Sequence, residues 1–186
     1  MSTFPFSAVI EPKRVEIMMI CEAFPEDARE YFYSSTDSIF VVNTVKAFND
    51  AGIKVKNIND ILKKGVYLTV AVKTARKGFT VPVKTIEEHS SALEKEIEAF
   101  PNLKAILLMG DAAIKAVNLI SRRATGKNAV RRGSTYKIRT EKFYFKNIRV
   151  FPSYLQTGKN FLIEKSKQRM VAEDIREAFQ LLKKQE

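Results

Sequence analysis

The pattern of hydrophobic and polar positions predicts strands that alternate with helices. Four short, nearly continuous apolar runs have the length of buried strands and occupy residues 15–21, 65–72, 104–109 and 148–152. Apolar residues recur at helical spacing in the longer segments, which are residues 38–51, 85–100, 112–121 and 161–184. This alternation is typical of a layered α/β fold with a mainly parallel sheet.

Polar residues before three of these segments predict where the helices begin. Asp37 is expected to cap the first helix, and Thr85 with Glu88 has the spacing of a capping box for the second. Gly110 and Asp111 form a turn into the third helix, with Asp111 as the expected cap.

Length and charge narrow the class of protein. The chain has 186 residues, which predicts a single domain spanning residues 1–186. Its 32 Lys and Arg exceed its 21 Asp and Glu, giving a formal net charge of +11. Such a charge favours an anionic partner. Nucleic acid is the preferred candidate, ahead of a membrane surface or small phosphates.

The most basic part of the chain is the segment of residues 122–149, in which ten Lys and Arg stand against one acid, Glu141. Two interpretations remain open for this segment. It is either a face that contacts phosphates beside a DNA groove or a flexible, solvated insertion.

The scarcity of cysteine and histidine argues against several kinds of site. With Cys21 alone, no disulfide within the chain and no cysteine-ligated iron–sulfur cluster is possible, and with only His89 beside it we expect no zinc site. We expect no metal and no cofactor. The N-terminal sequence has no signal-peptide pattern and no stretch of about 18 apolar residues occurs, so we expect no membrane segment. A free cysteine fits a reducing compartment, and we expect a cytoplasmic protein.

In parallel α/β sheets, ligands bind beyond the carboxyl ends of the strands. Here those positions are residues 22–27, 73–78, 110–111 and 152–158. The first segment carries carboxylates and an aromatic residue, and the second is basic. The third is a turn of small residues into a helix N-terminus, which could hold an anion.

The order of motifs at these strand ends resembles the uracil-DNA glycosylase superfamily. Residues 21–25 (Cys-Glu-Ala-Phe-Pro) look like its Gly-Glu-Ala-Pro-Gly first motif, and residues 151–155 (Phe-Pro-Ser-Tyr-Leu) look like its His-Pro-Ser second motif. Residues 66–73 and 105–113 are similar to its second strand and to its third strand with the following Gly-x-x-Ala turn. Together the motifs cover roughly residues 15–180 in the superfamily's order.

The resemblance implies a fold, a partner and a reaction. The fold is a three-layer α/β/α sandwich with a central four-stranded parallel sheet. The implied protein is a monomer that binds single- or double-stranded DNA, rotates a damaged nucleotide into a pocket and hydrolyses its base–sugar bond. The superfamily's cluster-binding cysteines are absent, so no iron–sulfur cluster is expected.

The resemblance also assigns roles to individual residues. Glu22 matches the acidic position of the first motif, and Asp27 and Glu26 are nearby acids that could position water. Ser153 matches the serine that grips the DNA backbone, and Lys73 matches the lysine that ends the second strand. The residues expected to contact DNA are Lys73, Arg76, Lys77, Arg131, Arg132, Ser153 and Lys159.

The expected base pocket departs from the superfamily pattern. Val70 stands where an asparagine would read the base, and Phe151 stands where a histidine would stabilise the departing base. The stacking aromatic has its nearest candidates in residues 31–33. The residues expected to line the pocket are Ala23, Phe24, Phe32, Val70 and Phe151.

These departures leave the chemistry open. Loss of a site's hydrogen-bonding reader costs discrimination of about 10⁴, and loss of one donor to a developing anion costs about 10²–10³ in rate. The protein is then an N-glycosylase for a base other than uracil, or a non-catalytic nucleic-acid-binding module on the same fold. A third class, an α/β enzyme acting on a nucleotide or another small phosphorylated substrate, is disfavoured because the chain has no glycine-rich phosphate-binding motif.

Overall fold

Five strands form one sheet in the computed structural model, which describes residues 10–184. The strands are β1 (Ile17–Phe24), β2 (Val66–Ala75), β3 (Ala105–Met109), β4 (Phe143–Phe145) and β5 (Ile148–Ser153), in the order β2-β1-β3-β5-β4. Neighbours β2, β1, β3 and β5 are parallel, whereas β4 pairs antiparallel with β5 at one edge. The predicted α/β class is confirmed.

Helices cover both faces of this sheet. They are α1 (Ile39–Asp50), α2 (Ile58–Lys63), α3 (Val83–Glu98), α4 (Asp111–Thr125), α5 (Thr135–Ile138) and α6 (Lys165–Lys183). Two short 3₁₀ turns occupy Pro12–Arg14 and Ala28–Glu30. Helix α3 packs on α4 and β2, while α1 packs on α6. The strand order reverses after β2, and right-handed crossovers therefore place these two helix pairs on opposite faces.

The centre of the sheet explains why its strands are continuous apolar runs in the sequence. Ile17, Met18, Met19 and Ile20 of β1 are all fully buried, although successive side chains point to opposite faces. Helices on both faces remove the solvated side that would otherwise require alternating polar residues.

One edge of the sheet is closed by a side chain. Strand β2 pairs only with β1, so its outer backbone groups face away from the sheet. The hydroxyl of Tyr33 donates a hydrogen bond to the carbonyl oxygen of Leu68 at 2.8 Å and accepts one from the Leu68 N–H at 3.0 Å. This buried tyrosine occupies the place of a neighbouring strand at that point.

Three elements were not predicted from the sequence. Helix α2 and helix α5 are short, and β4 is a three-residue edge strand that makes the sheet five-stranded, so the four-stranded sheet expected from the resemblance is incomplete. In β4, Phe143 and Phe145 are buried while Tyr144 is exposed. This segment lies within the basic residues 122–149, so its composition obscured the period-two pattern.

The expected helix caps are wrong in each case. Ser38, not Asp37, caps α1 by accepting the Val41 N–H at 3.3 Å. Helix α3 begins after Pro82, so Thr85 lies within its first turn and forms no cap. Gly110 is the residue before α4, and Asp111 is the first residue of that helix.

Two predictions concern residues that the structure does not describe: the extent of the single domain and the absence of a signal peptide. Residues 1–9 and 185–186 lie outside the described residues, and they include the ends of the expected single domain and most of the segment for which the sequence predicts no signal peptide. Within residues 10–184, none of the helices has the length and hydropathy that crossing a bilayer requires.

Candidate functional site

A cleft of about 430 Å³ opens beyond the carboxyl ends of β1 and β2. This volume lies within the range of ligand pockets, about 300–1,000 Å³. A second hollow of about 700 Å³ continues it and shares several of its lining residues, so the two form one groove. The cleft is lined by Glu22, Ala23, Phe24, Pro25, Glu26, Asp27, Glu30, Ile39, Phe40, Arg76, Gly78, Leu155, Thr157, Gly158 and Lys159.

Glu22 holds a fixed position in this cleft. It lies near the end of β1, and its side chain is 15% exposed. One carboxylate oxygen, Oε1, accepts a hydrogen bond from the backbone N–H of Ala112 at 3.2 Å, in the first turn of α4. The other, Oε2, accepts one from Nη1 of Arg76 at 3.2 Å. The carboxylate therefore occupies the N-terminus of α4, where the partial positive charge of a helix favours an anion.

Gly110 makes this arrangement possible. Its φ of +108° lies in a region that side chains rarely adopt, and a Cβ added there would stand 2.7 Å from Oε1 of Glu22. The turn expected to hold an external anion is therefore already filled by a carboxylate of the protein itself.

Arg76 joins the cleft to the loop that follows β2. Besides its bond to Glu22, its Nε donates to the carbonyl oxygen of Gly78 at 2.9 Å, and its backbone N–H donates to the carbonyl oxygen of Phe24 at 3.1 Å. The guanidinium is only partly exposed and spans from the carboxylate to the loop. It is thus a structural link as well as a cation of the cleft.

Asp27 lines the cleft but is engaged elsewhere. Its carboxylate pairs with Arg29 at 2.7 Å and also accepts the backbone N–H of Arg29 at 2.9 Å. The side-chain hydrogen bond from Arg29 lowers the pKa of Asp27 to about 2. Because both Asp27 oxygens are occupied by Arg29, Glu22 is the better placed of the two acids expected to be catalytic.

The five residues expected to form the base pocket separate into two groups. Ala23 and Phe24 line the cleft, and the ring of Phe24 lies 4.5 Å from that of Tyr31 between centroids. Phe32, Val70 and Phe151 are buried in the core and are not among the residues that line the cleft.

Val70 and Phe151 are buried because both lie within strands of the sheet. Val70 is in the middle of β2, paired in register with Cys21, because β2 continues to Ala75 rather than ending near residue 72. Phe151 lies within β5, with the Arg149 guanidinium carbon 4.3 Å from its ring centroid.

Two residues expected to contact DNA have their polar groups bonded within the protein: Lys73, whose side chain is 25% exposed, and Ser153, which is buried. The ammonium group of Lys73 donates to Glu96 at 2.8 Å, to Thr69 Oγ1 at 2.8 Å and to the Val70 carbonyl oxygen at 2.6 Å. Burial lowers the pKa of Lys73. Ser153 is fully buried at the end of β5. The buried Ser153 side chain is not accessible to a phosphate, whereas Lys73 is partly exposed and is bound to Glu96.

The other expected DNA contacts are exposed or partly exposed. Arg76 and Lys159 line the cleft, and Lys77 is exposed beside it. Arg131 forms an ion pair with Glu141, and Arg132 is exposed, but neither lines the cleft.

The basic segment of residues 122–149 is folded rather than a flexible insertion. It includes the end of α4, α5, β4 and the start of β5. Arg149 is buried, where it donates to the carbonyl oxygen of Phe143 at 3.3 Å. Arg139 is largely buried against α6. The cations left exposed in this segment include Arg122, Lys127, Arg132, Lys137, Lys142 and Lys146.

A buried polar cluster beside the cleft was not found from the sequence. Ser153 Oγ donates to Asp174 Oδ2 at 2.5 Å, and Arg139 Nη2 donates to Asp174 Oδ1 at 2.8 Å and to Glu173 at 2.9 Å. Burial raises the pKa of Asp174 to about 6, although both hydrogen bonds act in the opposite direction. The cluster fastens the end of β5 to α6.

Gln156 supports the other wall of the cleft. Its side-chain nitrogen donates to Thr44 Oγ1 at 3.2 Å, and its backbone carbonyl oxygen accepts from Asn43 Nδ2 at 2.9 Å. It also contacts the thiol of Cys21, whose pKa burial raises to about 12. These partners are more than 100 residues away in sequence, so no local pattern indicates the contact.

The described residues contain no group of three or more His, Cys, Asp and Glu side chains that could hold a metal ion. His89 lies on α3, with Nε2 3.3 Å from Thr74 Oγ1, and does not line the cleft. No protein-family model and no curated protein sequence matches this chain. The geometry of the cleft and the sequence resemblance are therefore the grounds for assigning a function.

Proposed function

We propose that the protein binds DNA and receives a flipped nucleotide in the cleft, where Glu22 directs water at the base–sugar bond. The observation that carries this proposal is the placement of Glu22. A carboxylate held by two donors lies in a cleft at the carboxyl ends of the parallel strands. This is where α/β folds bind their ligands.

The geometry of Glu22 suits a role in hydrolysis. Each carboxylate oxygen has about two acceptor sites, and each accepts one hydrogen bond from the described residues. One site on each oxygen therefore remains for a water molecule. As the bond between the sugar C1′ and the base nitrogen breaks, the base leaves with the bonding electrons. The water oxygen bonds to C1′, and its proton passes to Glu22 or to the departing base.

The net charge of the whole chain supports DNA as the substrate, and the cleft itself is lined by four carboxylates and two cations. The net charge of +11 is accompanied at the cleft by Lys159 and, beside it, by Lys77, neither of which forms an ion pair among the residues the structure describes. Cations at the rim of a concave site attract a phosphate backbone without dictating its sequence. We propose the three-layer fold of the uracil-DNA glycosylase superfamily and a cytoplasmic monomer as the setting for this activity.

A second candidate is a nucleic-acid-binding module without catalysis. The observation in its favour is the composition of the cleft wall, which is formed largely by Ala23, Phe24, Ile39, Phe40 and Leu155. The positions of the superfamily's polar base reader and anion donor are occupied by Val70 and Phe151, both in the core. Such a wall can accept a base by apolar contact but offers few groups that distinguish one base from another.

An excision assay separates the two candidates. Single-stranded and duplex oligonucleotides carrying uracil, hypoxanthine, xanthine or an alkylated base are incubated with the protein and with Glu22→Gln. We expect release of at least one base, and a rate about 10²–10⁴ lower for Glu22→Gln, the usual contribution of a positioned acid or base. Asp27→Asn serves as the control and should retain activity within about twofold, because Asp27 is engaged by Arg29.

The pattern of results also identifies failure. If no base is released while the protein binds DNA equally well with and without the Glu22 substitution, the non-catalytic candidate is correct. If neither DNA strand form is bound at low salt, both candidates are wrong.

A further inference from the structure

Phe79 is the most exposed of the large hydrophobic side chains that the structure describes. It is 95% exposed and lies in the loop between β2 and α3, directly after Gly78. A single exposed apolar residue is common on protein surfaces. The position of Phe79 gives it significance, because it lines the outer hollow of the groove together with Arg76 and Lys159.

The loop that presents Phe79 is tied to the floor of the cleft. Nε of Arg76 donates to the carbonyl oxygen of Gly78 at 2.9 Å, and Nη1 of the same guanidinium donates to Glu22 at 3.2 Å. Gly78 has a φ of +83°, so the chain turns sharply just before the phenylalanine. The backbone just before Phe79 is therefore tied to Glu22 through Arg76, while the ring itself extends into solvent.

The charged groups around the ring are three cations and two carboxylates, of which Lys159 and Glu26 form no ion pair among the described residues. The hollow contains Arg76, Lys159, Lys167, Glu26 and Glu164. Glu164 is paired with Lys167 at 2.7 Å, and Arg76 is paired with Glu22 at 3.2 Å. Lys159 is exposed and has no ion pair within the described part of the chain, as is also true of the adjacent Lys77.

We propose that Phe79 stacks on a nucleobase of single-stranded or locally opened DNA, next to the nucleotide that enters the cleft. This inference rests on the proposed function. Aromatic rings beside a cationic groove bind single strands because every base has a π-face, whereas the cations follow the backbone. Phe79 is thus a positioning residue for the DNA strand, and Arg76 links the backbone before it to Glu22.

An anionic lipid surface is the competing partner for an exposed aromatic residue among lysines. Stable attachment to a bilayer requires a large continuous apolar face, typically along an amphipathic helix. Phe79 instead lies on a short loop at the side of a concave groove. The observations therefore favour the nucleobase, and the lipid surface is an arm of the test.

The experiment measures binding of a short single-stranded oligodeoxynucleotide that carries a fluorescent adenine analogue, whose emission falls when it stacks. Phe79→Ala should weaken binding about tenfold, equal to about 1.4 kcal/mol, and should abolish the quenching. Phe79→Tyr should retain both. Tyr144→Ala is the control, since Tyr144 is an exposed aromatic residue on β4, at the opposite edge of the sheet from β2. It should bind within about twofold of the unsubstituted protein.

Salt and lipid arms complete the test. At raised salt the DNA affinity of both proteins should fall. The ratio of affinities between the unsubstituted protein and Phe79→Ala should stay the same, because stacking is not an ionic contact. If the unsubstituted protein binds DNA and Phe79→Ala binds equally well with unchanged quenching, the stacking role is wrong and the proposed function stands. Binding to phosphatidylserine vesicles that depends on Phe79, with DNA binding unaffected, also overturns it. Absence of any DNA binding by the unsubstituted protein overturns the proposed function and this inference together.

Discussion

The carboxylate of Glu22 lies against Gly110 so closely that a Cβ on Gly110 would stand 2.7 Å from Oε1 and 2.9 Å from the carboxylate carbon. The same carboxylate accepts the N–H of Ala112, two residues further along. The end of β1 and the start of α4 therefore fit together only if residue 110 has no side chain. This contact fixes where the acid lies in the cleft.

The first prediction concerns Gly110→Ala. We expect the substitution to lower the free energy of unfolding by about 2–4 kcal/mol, through backbone strain and displacement of Glu22. Gly126→Ala provides the reference, because Gly126 also has a positive φ but its added Cβ meets nothing within 4 Å. The free energy of unfolding of that variant, measured by urea denaturation, should fall by only about 1–2 kcal/mol.

A double variant isolates the contact itself. In Glu22→Ala/Gly110→Ala the collision disappears and only the backbone strain remains. We expect the double variant to lose less free energy of unfolding than the summed losses of the two single variants, by at least about 1 kcal/mol. Additive losses, within about 0.5 kcal/mol, would show that the two residues do not press on one another.

The second prediction concerns the pH dependence of stability. Burial raises the pKa of Asp174 to about 6 from an ordinary value of 3.8, so the folded protein holds this proton more tightly than the unfolded chain. The stabilisation is therefore complete below pH 3.8 and is lost as the pH rises through about 6.

Asp174→Asn removes this titration and supplies the comparison. Relative to the asparagine variant, the unsubstituted protein should lose up to about 3 kcal/mol of unfolding free energy between pH 4 and pH 7, the value that follows from about two pH units of pKa difference. Urea denaturation across this range measures the difference. A difference that is constant, or that grows with pH, would contradict the assignment.

The third prediction concerns the edge of the sheet. Tyr33→Phe leaves the N–H and carbonyl of Leu68 without the hydroxyl that bonds both. We expect a loss of about 1–3 kcal/mol in the free energy of unfolding, the usual result when buried polar groups lose their partners. Tyr136→Phe removes a hydroxyl from a side chain that is 73% exposed. It should change stability by less than about 0.5 kcal/mol, and equal effects of the two substitutions would be evidence against the edge contact.

The fourth prediction concerns the salt dependence of DNA binding. Lys159→Ala should reduce the slope of log affinity against log salt by about 0.7–0.9, because one fewer counterion is released. Lys54→Ala is the control, since this exposed lysine follows α1 at the other end of the sheet from the cleft. Its slope should match that of the unsubstituted protein. Equal changes of slope in the two variants would show that the DNA backbone does not bind at the cleft.

The strands of the sheet core could be predicted from the sequence because both of their faces are buried. The run of Ile17 to Ile20 needs no knowledge of its neighbours to be recognised. Strand β4 and helix α2 depend on partners instead. A three-residue strand is stable only because β5 pairs with it, and a six-residue helix only because it packs on β2 and α1.

The same distinction applies to the candidate site. The rule that ligands bind after parallel strands selected segments whose residues Glu22, Phe24 and Arg76 line one cleft in the structure. It failed where the end of a strand was judged from composition. Ser153 is still part of β5 because Met109 pairs with it. The partner of Ser153, Asp174, is contributed by a helix whose local sequence gives no indication of this contact.

The carboxylate at the start of α4 has a consequence for ligand selection. Glu22 is part of the same chain as the helix N-terminus that it occupies. Its effective concentration there is therefore higher than that of a phosphate in solution, and it competes with such a phosphate for the site. Nucleotides and sugar phosphates that would use this terminus in related architectures meet an anion of like charge. Under the proposed function a nucleotide within a polymer is different, because its phosphates would lie outside at Lys77 and Lys159 and only its neutral base and sugar would enter. The proposed function therefore implies that the carboxylate favours DNA strands over free metabolites.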